Sequence, residues 1–313
     1  MTKKVVFMGT PGFAVNVLES LIKEAYEVVL VVTQPDRPVG RKRTLTPPPV
    51  KEVATAHDIP VFQPEKIRDD YETILSYEPD IIITCAYGQI LPTELLDYPA
   101  YGSINVHASL LPELRGGAPI HYAILQGKQK SGVTIMYMVD KLDAGDMISK
   151  VVVPIEETDH TGILHDKLSE AGADLLIETL PSIFERTNDR KPQDGSQATF
   201  APNISREDEK INWQVENSVI YNQVRGLHPW PVAYTTYQGE RMKIWWVTKQ
   251  EETYPDQKPG TVVQVKEGAF TVVCGQGSAV DVTDLQVAGK KRMTTDEYLR
   301  GNQEAIQVGD ILE

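Results

Sequence analysis

Short apolar runs alternate with amphipathic stretches through the N-terminal part of the chain. Lys4 to Met8 reads as a buried strand, and Gly9-Thr10-Pro11-Gly12 turns from it into a helix running to about Lys23. Val28 to Thr33 is a second strand, apolar almost throughout, as parallel strands covered on both faces are. Pro60 to Phe62, Asp80 to Cys85 with its three consecutive isoleucines, and Gly102 to His107 supply three more. Strands that alternate with helices predict an open, mostly parallel α/β sheet with right-handed crossovers. Ligands of such sheets bind beyond the carboxyl ends of the strands.

Val133 to Val139 and Met147 to Val153 read as two further strands, with Asp140 to Asp146 looping between them. Ile163, Leu164, Leu168, Ala171, Leu175 and Leu176 lie near helical spacing, which predicts a helix to about Phe184 that Pro181 kinks or shortens. Thr187 to Pro202 is polar and without period, so a linker over 190–206 is expected between domains at 1–189 and 207–313. Beyond it the pattern changes. Val215 to Val224 suggests a helix, and Val232 to Tyr237, Met242 to Val247, Thr261 to Val265, Phe270 to Cys274 and Ala279 to Leu285 read as short strands between turns. They suit a small β-barrel of OB-like type better than an open antiparallel sheet. Trp245 and Trp246 are adjacent in one of them, so one is expected in the core and the other outside.

A length of 313 residues supports two domains, each able to bury its own core. The net charge of −13 argues against general affinity for nucleic acid, yet leaves room for a local basic patch. Arg37, Arg41, Lys42, Arg43 and Lys51 form one, opposed only by Asp36. They belong to a segment, Gln34 to Pro49, that is longer than a connection in a compact α/β domain needs. The apolar run after Lys3-Lys4 is too short for a secretory signal, and no stretch approaches the roughly 20 apolar residues that cross a bilayer. Cys85 and Cys274 stand in no Cys-x-x-Cys motif, so neither a zinc site nor a disulfide framework is implied and a reducing cytoplasm is the expected setting.

Candidate chemistry gathers at Asn105, His107 and Asp143. In extended backbone the i, i+2 spacing of Asn105 and His107 points both to one face, at the carboxyl end of a predicted strand. An amide and an imidazolium can stabilise the oxyanion formed when an amine attacks an acyl carbon, and a carboxylate can orient the ring or move the proton. An isolated Asn-x-His is more often a turn residue beside a buried structural histidine; the residues that follow reverse that weighting.

Asn105-x-His107-x-Ser109-Leu110-Leu111-Pro112-x-x-Arg115-Gly116, with Leu142-Asp143-x-Gly145, resembles the signature of the 10-formyltetrahydrofolate-dependent formyltransferases. The resemblance runs from Phe7-Met8-Gly9-Thr10-Pro11-Gly12-Phe13 to Leu285-Gln286-Val287-Ala288-Gly289-Lys290-Lys291-Arg292-Met293. It implies a Rossmann-like catalytic domain followed by an OB-like domain, with 10-formyltetrahydrofolate as formyl donor and neither metal nor NAD. The family's catalytic asparagine, histidine and aspartate fall on Asn105, His107 and Asp143. Its folate-binding segment falls on Ser109, Leu110, Leu111 and Pro112, supported by the loop carrying Tyr87, Gly88, Ile90 and Leu91; Ile90, Leu91, Leu110 and Leu111 suit an apolar slot for a pteridine. The branch it is most similar to formylates the α-amine of methionine esterified to initiator tRNA, for translation initiation. A monomer that meets no membrane is expected. The branch's critical loop arginine falls on Arg41, with Arg37, Lys42 and Arg43 beside it at the tRNA acceptor stem.

Other readings lead elsewhere. Formyl transfer to a small amine needs no long Arg/Pro loop, and a silent folate- or RNA-binding protein needs no Asn/His/Asp set. An NAD-dependent oxidoreductase is disfavoured, because Gly9-Thr10-Pro11-Gly12 lacks the Gly-x-Gly-x-x-Gly spacing and Thr33-Gln34 stands where an acidic ribose ligand would. Trp213, Trp230, Trp245, Trp246, Lys243 and Lys290-Lys291-Arg292 offer a second, weaker nucleic-acid surface. His57, His121, His160, His165 and His228 show no ligand spacing and are expected to be structural.

Overall fold

The computed structural model describes residues 3–40, 42–300 and 305–313, so Arg41 lies outside the described residues. The chain divides into two compact units. The first comprises Met1–Pro119, Lys130–Pro154 and His165–Pro202; the second comprises Ile120–Gln129, Ile155–Leu164 and Asn203–Glu313. Two short segments from the middle of the chain thus join the C-terminal residues, which no periodicity in the sequence signals. No helix among the described residues is long and apolar enough to cross a membrane.

In chain order the first part holds β1 (Lys4–Gly9), α1 (Phe13–Lys23), β2 (Glu27–Val32), β3 (Arg37–Val39), β4 (Thr44–Thr46), α2 (Pro49–Ala56) and β5 (Val61–Phe62). Then come α3 (Ile67–Asp70), α4 (Glu72–Leu75), β6 (Ile81–Cys85), α5 (Thr93–Asp97), β7 (Ser103–His107), α6 (Pro119–Leu125), β8 (Lys130–Tyr137), β9 (Met147–Pro154) and α7 (Thr161–Glu185). The main sheet runs β5-β2-β1-β6-β7-β8-β9. It is parallel from β5 to β7 and antiparallel across β7–β8 and β8–β9. Every residue of β6 is buried, as expected of a central strand covered on both faces. Gly9 lets α1 start against the sheet: a Cβ there would sit 2.8 Å from Ala14 Cβ and 2.9 Å from the Cys85 carbonyl oxygen.

Three details depart from the sequence expectations. Pro181 does not shorten α7, which continues to Glu185. Leu168, Leu175, Leu176, Leu180 and Ile183 of this helix are buried. At ~1.5–3 kcal/mol per buried aliphatic side chain they outweigh the ~3 kcal/mol cost of an interior proline. Within the long basic segment, β3 and β4 pair as an exposed hairpin, with Arg37 opposite Thr46 and Val39 opposite Thr44. The expected linker also has a fixed course over much of its length. Lys191 bridges Met147 and Phe200 bridges Arg115, so residues 190–202 run as a strap along the first unit.

In the second unit, α8 (Asn217–Gly226) precedes β10 (Tyr234–Tyr237), β11 (Glu240–Lys249), β12 (Val262–Lys266), β13 (Ala269–Val273), β14 (Ala279–Val287), β15 (Met293–Thr294) and α9 (Thr295–Arg300). The strands form an antiparallel sheet in the order β10-β11-β14-β13-β12, with β15 on β14. Its core is built from side chains such as Ile220, Val224, Ile244, Phe270, Val280 and Leu285. The barrel-like closure comes from the last residues of the chain. Thr236 and Glu313 exchange backbone bonds of 2.8 and 2.9 Å on one edge; on the other, Val262 N–H donates to the Asp310 carbonyl at 2.8 Å and Leu312 N–H to Gly260 at 2.8 Å. Trp245 and Trp246 split in facing, with Trp246 on the core side, yet neither is fully buried or fully exposed. The register with β14 shifts on either side of Trp246, and both tryptophans are half-buried. Trp246 packs on the core, and the Arg292 guanidinium lies 4.6 Å from the Trp245 ring.

Candidate active site

Three adjacent strands of the first unit place the central side chains. In the register, Thr84 of β6 lies beside Asn105 of β7, which faces Met136 of β8; His107 faces Thr134. Ile104 and Val106 are buried, and Val106 lies where a Cβ on Gly172 of α7 would reach it at 3.1 Å. Asn105 and His107 therefore share the opposite face of β7 from α7.

Thr84 Oγ1 donates to Asn105 Oδ1 at 2.8 Å, which turns the amide so that Nδ2 keeps both its hydrogens for another partner. His107 is 6% exposed, and its Nε2 lies 3.1 Å from the Leu114 carbonyl oxygen. A carbonyl only accepts, so Nε2 carries a hydrogen and Nδ1 is the nitrogen left for chemistry. Nδ1 stands 3.8 Å from Asp143 Oδ1, too far for a direct hydrogen bond and close enough for an ion pair when the ring is protonated.

Asp143 is held from two sides. Gly116 N–H donates to its Oδ2 at 2.8 Å, and Gln193 Nε2 donates to the carbonyls of Asp143 and Gly145, each at 2.8 Å. Asp143 has φ +46°, a left-handed conformation that Asp tolerates at a cost. Gly116 needs its glycine: at φ +118° a Cβ would lie 2.7 Å from the Ala201 carbonyl oxygen of the strap. The expected trio is thus brought to one place.

The Ser109 to Pro112 segment is pinned beneath it. Thr134 Oγ1 donates to the Ser109 carbonyl at 2.7 Å and accepts from Leu111 N–H at 3.2 Å. Ser109 Oγ donates to the Glu113 carbonyl at 2.6 Å, Lys150 Nζ bonds the Leu111 carbonyl, and the Leu111–Pro112 peptide is cis. Burial lowers the pKa of Lys150. Leu111 packs with Met136 and Met147, while Leu110 is half-buried over Gly132, whose hydrogen leaves room for it.

The loop after β6 divides its residues. Tyr87 and Leu91 belong to the core under the sheet, whereas Ile90 is 72% exposed and Gly88 has φ +92°. Of the four apolar residues expected to form a slot, Leu91 and Leu111 are therefore buried in packing, and Ile90 and Leu110 retain exposed surface. The Tyr87 hydroxyl is buried with no hydrogen-bond partner among the described residues, and burial pushes its pKa up to about 12. The Tyr87 carbonyl accepts from Thr10 Oγ1 at 3.0 Å and from Gln34 Nε2 at 3.1 Å, which fixes the loop to the first turn of the sheet.

The basic hairpin is partly neutralised. Arg37 pairs with Glu65 at 2.7 Å and Lys51 with Asp36 at 2.8 Å. Hydrogen bonds from Gln63 and Lys51 hold the Asp36 carboxyl below the usual carboxylate range. Lys42 and Arg43 are exposed and show no ion pair among the described residues; Arg41 lies outside them. No cluster of three or more His, Cys, Asp or Glu able to hold a metal occurs among the described residues. His160 Nδ1 accepts the N–H groups of Gly162 and Ile163 at the start of α7, and His228 Nδ1 lies 3.1 Å from the Trp245 carbonyl.

Three contributors were not singled out from sequence. Thr84 was legible in principle, as a polar residue at the end of a strand beside Asn105. Gly116 stands inside the quoted motif. Gln193 carries no local signal, because it sits in a stretch without period.

Comparison with known proteins places the chain in a family. The formyl transferase family profile matches residues 3–180, and the formyl transferase C-terminal domain profile matches residues 203–303. Methionyl-tRNA formyltransferase of Halalkalibacterium halodurans is 58% identical over 311 residues, covering 99% of this chain and 98% of that protein. The Bacillus subtilis protein of the same name is also 58% identical over 311 residues, covering 99% and 97%. Among solved structures, HypX from Aquifex aeolicus in complex with tetrahydrofolic acid superposes with a TM-score of 0.68 at 16% identity, covering 100% of this chain and 51% of that one. The N-formyltransferase from Helicobacter canadensis in complex with folinic acid and dTDP-3-aminofucose gives 0.66 at 21% identity, covering 90% and 99%. At such identities the structures speak for the fold alone; the profiles and the near-full-length relatives speak for more, and the chain belongs to the formyl transferase family.

Proposed function

We propose that this protein transfers the formyl group of 10-formyltetrahydrofolate to the α-amine of methionine esterified to initiator tRNA. The neutral amine attacks the formyl carbon, a C–N bond forms, and the carbonyl electrons move onto oxygen. Asn105 Nδ2, freed by the Thr84 hydrogen bond, donates to that oxyanion, and protonated His107 donates from Nδ1. The new ammonium loses a proton towards Asp143, directly or through water. Collapse breaks the bond between the formyl carbon and N10 of the folate, and N10 takes up the proton the amine released. The observation that carries this reading is the convergence of Asn105, His107 and Asp143 in a chain 58% identical to methionyl-tRNA formyltransferases along nearly its whole length.

Ser109 to Pro112, with Ile90 at the edge, would line the folate; buried Tyr87 and Leu91 would support the loop from below, with Gly88 giving its turn. Arg37, Arg41, Lys42 and Arg43 would grip the phosphates of the acceptor stem, a local basic patch on a chain of net charge −13. The protein acts as a cytoplasmic monomer in this reading. Incubation with formyl-labelled 10-formyltetrahydrofolate and methionyl-tRNA tests it: label is expected on the aminoacyl end, with none on uncharged tRNA. Transfer to a small amine at equal efficiency, with charged tRNA ignored, overturns the choice of substrate.

A further inference from the structure

We propose that Gln193, in the strap that follows α7, is a positioning residue that sets Asp143 against His107. The inference rests on the site assignment above. Its amide has four partners, and their chemistry leaves a single orientation. Arg115 Nε and Nη2 lie 3.1 and 2.7 Å from Oε1, and an arginine can only donate. Nε2 faces the carbonyls of Asp143 and Gly145, each at 2.8 Å, and a carbonyl can only accept. Arg115 is 3% exposed and forms no carboxylate pair among the described residues, so its guanidinium fixes Gln193 as firmly as Gln193 satisfies it.

What Gln193 holds is a backbone that would otherwise relax. Asp143 is left-handed at φ +46°, and its neighbour Gly145 passes so close to the Tyr137 carbonyl that a Cβ would come within 1.9 Å. Two hydrogen bonds to the carbonyls on either side of Ala144 fix the tip of the β8–β9 connection in this shape. The strap secures the carboxylate at a second place. Ala201 N–H donates to the Arg115 carbonyl at 2.7 Å, and the adjacent Gly116 N–H reaches Asp143 Oδ2. Gln193 reaches no reacting atom itself; it acts through Asp143.

Substitution at Gln193 separates this role from a general structural one. Gln193→Glu keeps an acceptor for Arg115 but turns a carboxylate oxygen on the two carbonyls, so the buried guanidinium stays paired while the loop is pushed out of place. Gln193→Ala removes both functions. Because displacement of a catalytic group by 1 Å can cost ~100-fold, both variants are expected to lose at least about tenfold in kcat, with KM for folate and methionyl-tRNA within about twofold of wild type. Gln193→Glu should also melt near the wild-type temperature. In an Asp143→Ala background, measured by single turnover, adding Gln193→Ala should cost nothing further. A wild-type kcat for Gln193→Glu, or the same fractional loss with and without Asp143, overturns the proposal. Wild-type turnover of Asp143→Ala alone would instead overturn the site assignment, and the positioning role with it.

Discussion

Asn105 and His107 stand on a strand that is paired on both sides, whereas Asp143 stands at the tip of a connection with no regular structure of its own. The strand pair needs little help. Register with β6 and β8 fixes the Asn105 Cα and register with β8 fixes that of His107, and Thr84 and the Leu114 carbonyl settle the side-chain ends. The aspartate needs Gly116, Gln193 and the strap behind them. A site can thus draw its rigid part from sheet geometry and its adjustable part from long-range hydrogen bonds. Damage to the two parts should look different.

The largest effects test the two ends of this contrast together. His107→Ala and Asp143→Ala should each lower kcat by ~100- to 10,000-fold, the range for lost acid–base partners, with tRNA affinity near wild type. Turnover by either at the wild-type rate would remove it from the site. Asn105→Ala should cost ~100- to 1,000-fold, as loss of an oxyanion donor does. Next comes the hydrogen bond that orients it. Thr84→Val should lower kcat by about tenfold, in line with the ~1.4 kcal/mol of an ordinary buried hydrogen bond, and Thr84→Ser should restore it. If Thr84→Ser remains as slow as Thr84→Val, the hydroxyl is not what matters.

On the loop side, Gly116→Ala places a methyl against Ala201 at a backbone angle that strains any L-residue. It should cost ~1–3 kcal/mol of stability and lower kcat as well, read by thermal melting and by turnover. A variant that melts like wild type would mean that the strap yields easily. The smallest effects belong to the exposed hairpin. Lys42→Ala and Arg43→Ala should each reduce the slope of log affinity for tRNA against log salt by about one, with folate binding unchanged. An unchanged slope would take these cations out of the tRNA path.

The same contrast explains how much was legible beforehand. Strands such as β6 announce themselves because burial on both faces demands an unbroken apolar run, and Asn105/His107 interrupts such a run with period two. The β3–β4 hairpin is exposed throughout, so no burial pattern marks it and only backbone pairing reveals it. Residues 190–202 bury little apolar surface and are ordered by bonds to Arg115 and Met147 instead, which is why their polarity suggested a linker. Local pattern carries elements that bury a face; it is silent on those held by distant partners.

The tail of the second unit has a consequence for how that unit breathes. The Thr236 and Val262 amides lie on opposite edges of the sheet, and both donate to carbonyls of residues 310–313. Their deuterium uptake should therefore rise and fall in step, as two ends of one zip, while amides in β14 at the middle of the sheet exchange only when the whole unit opens.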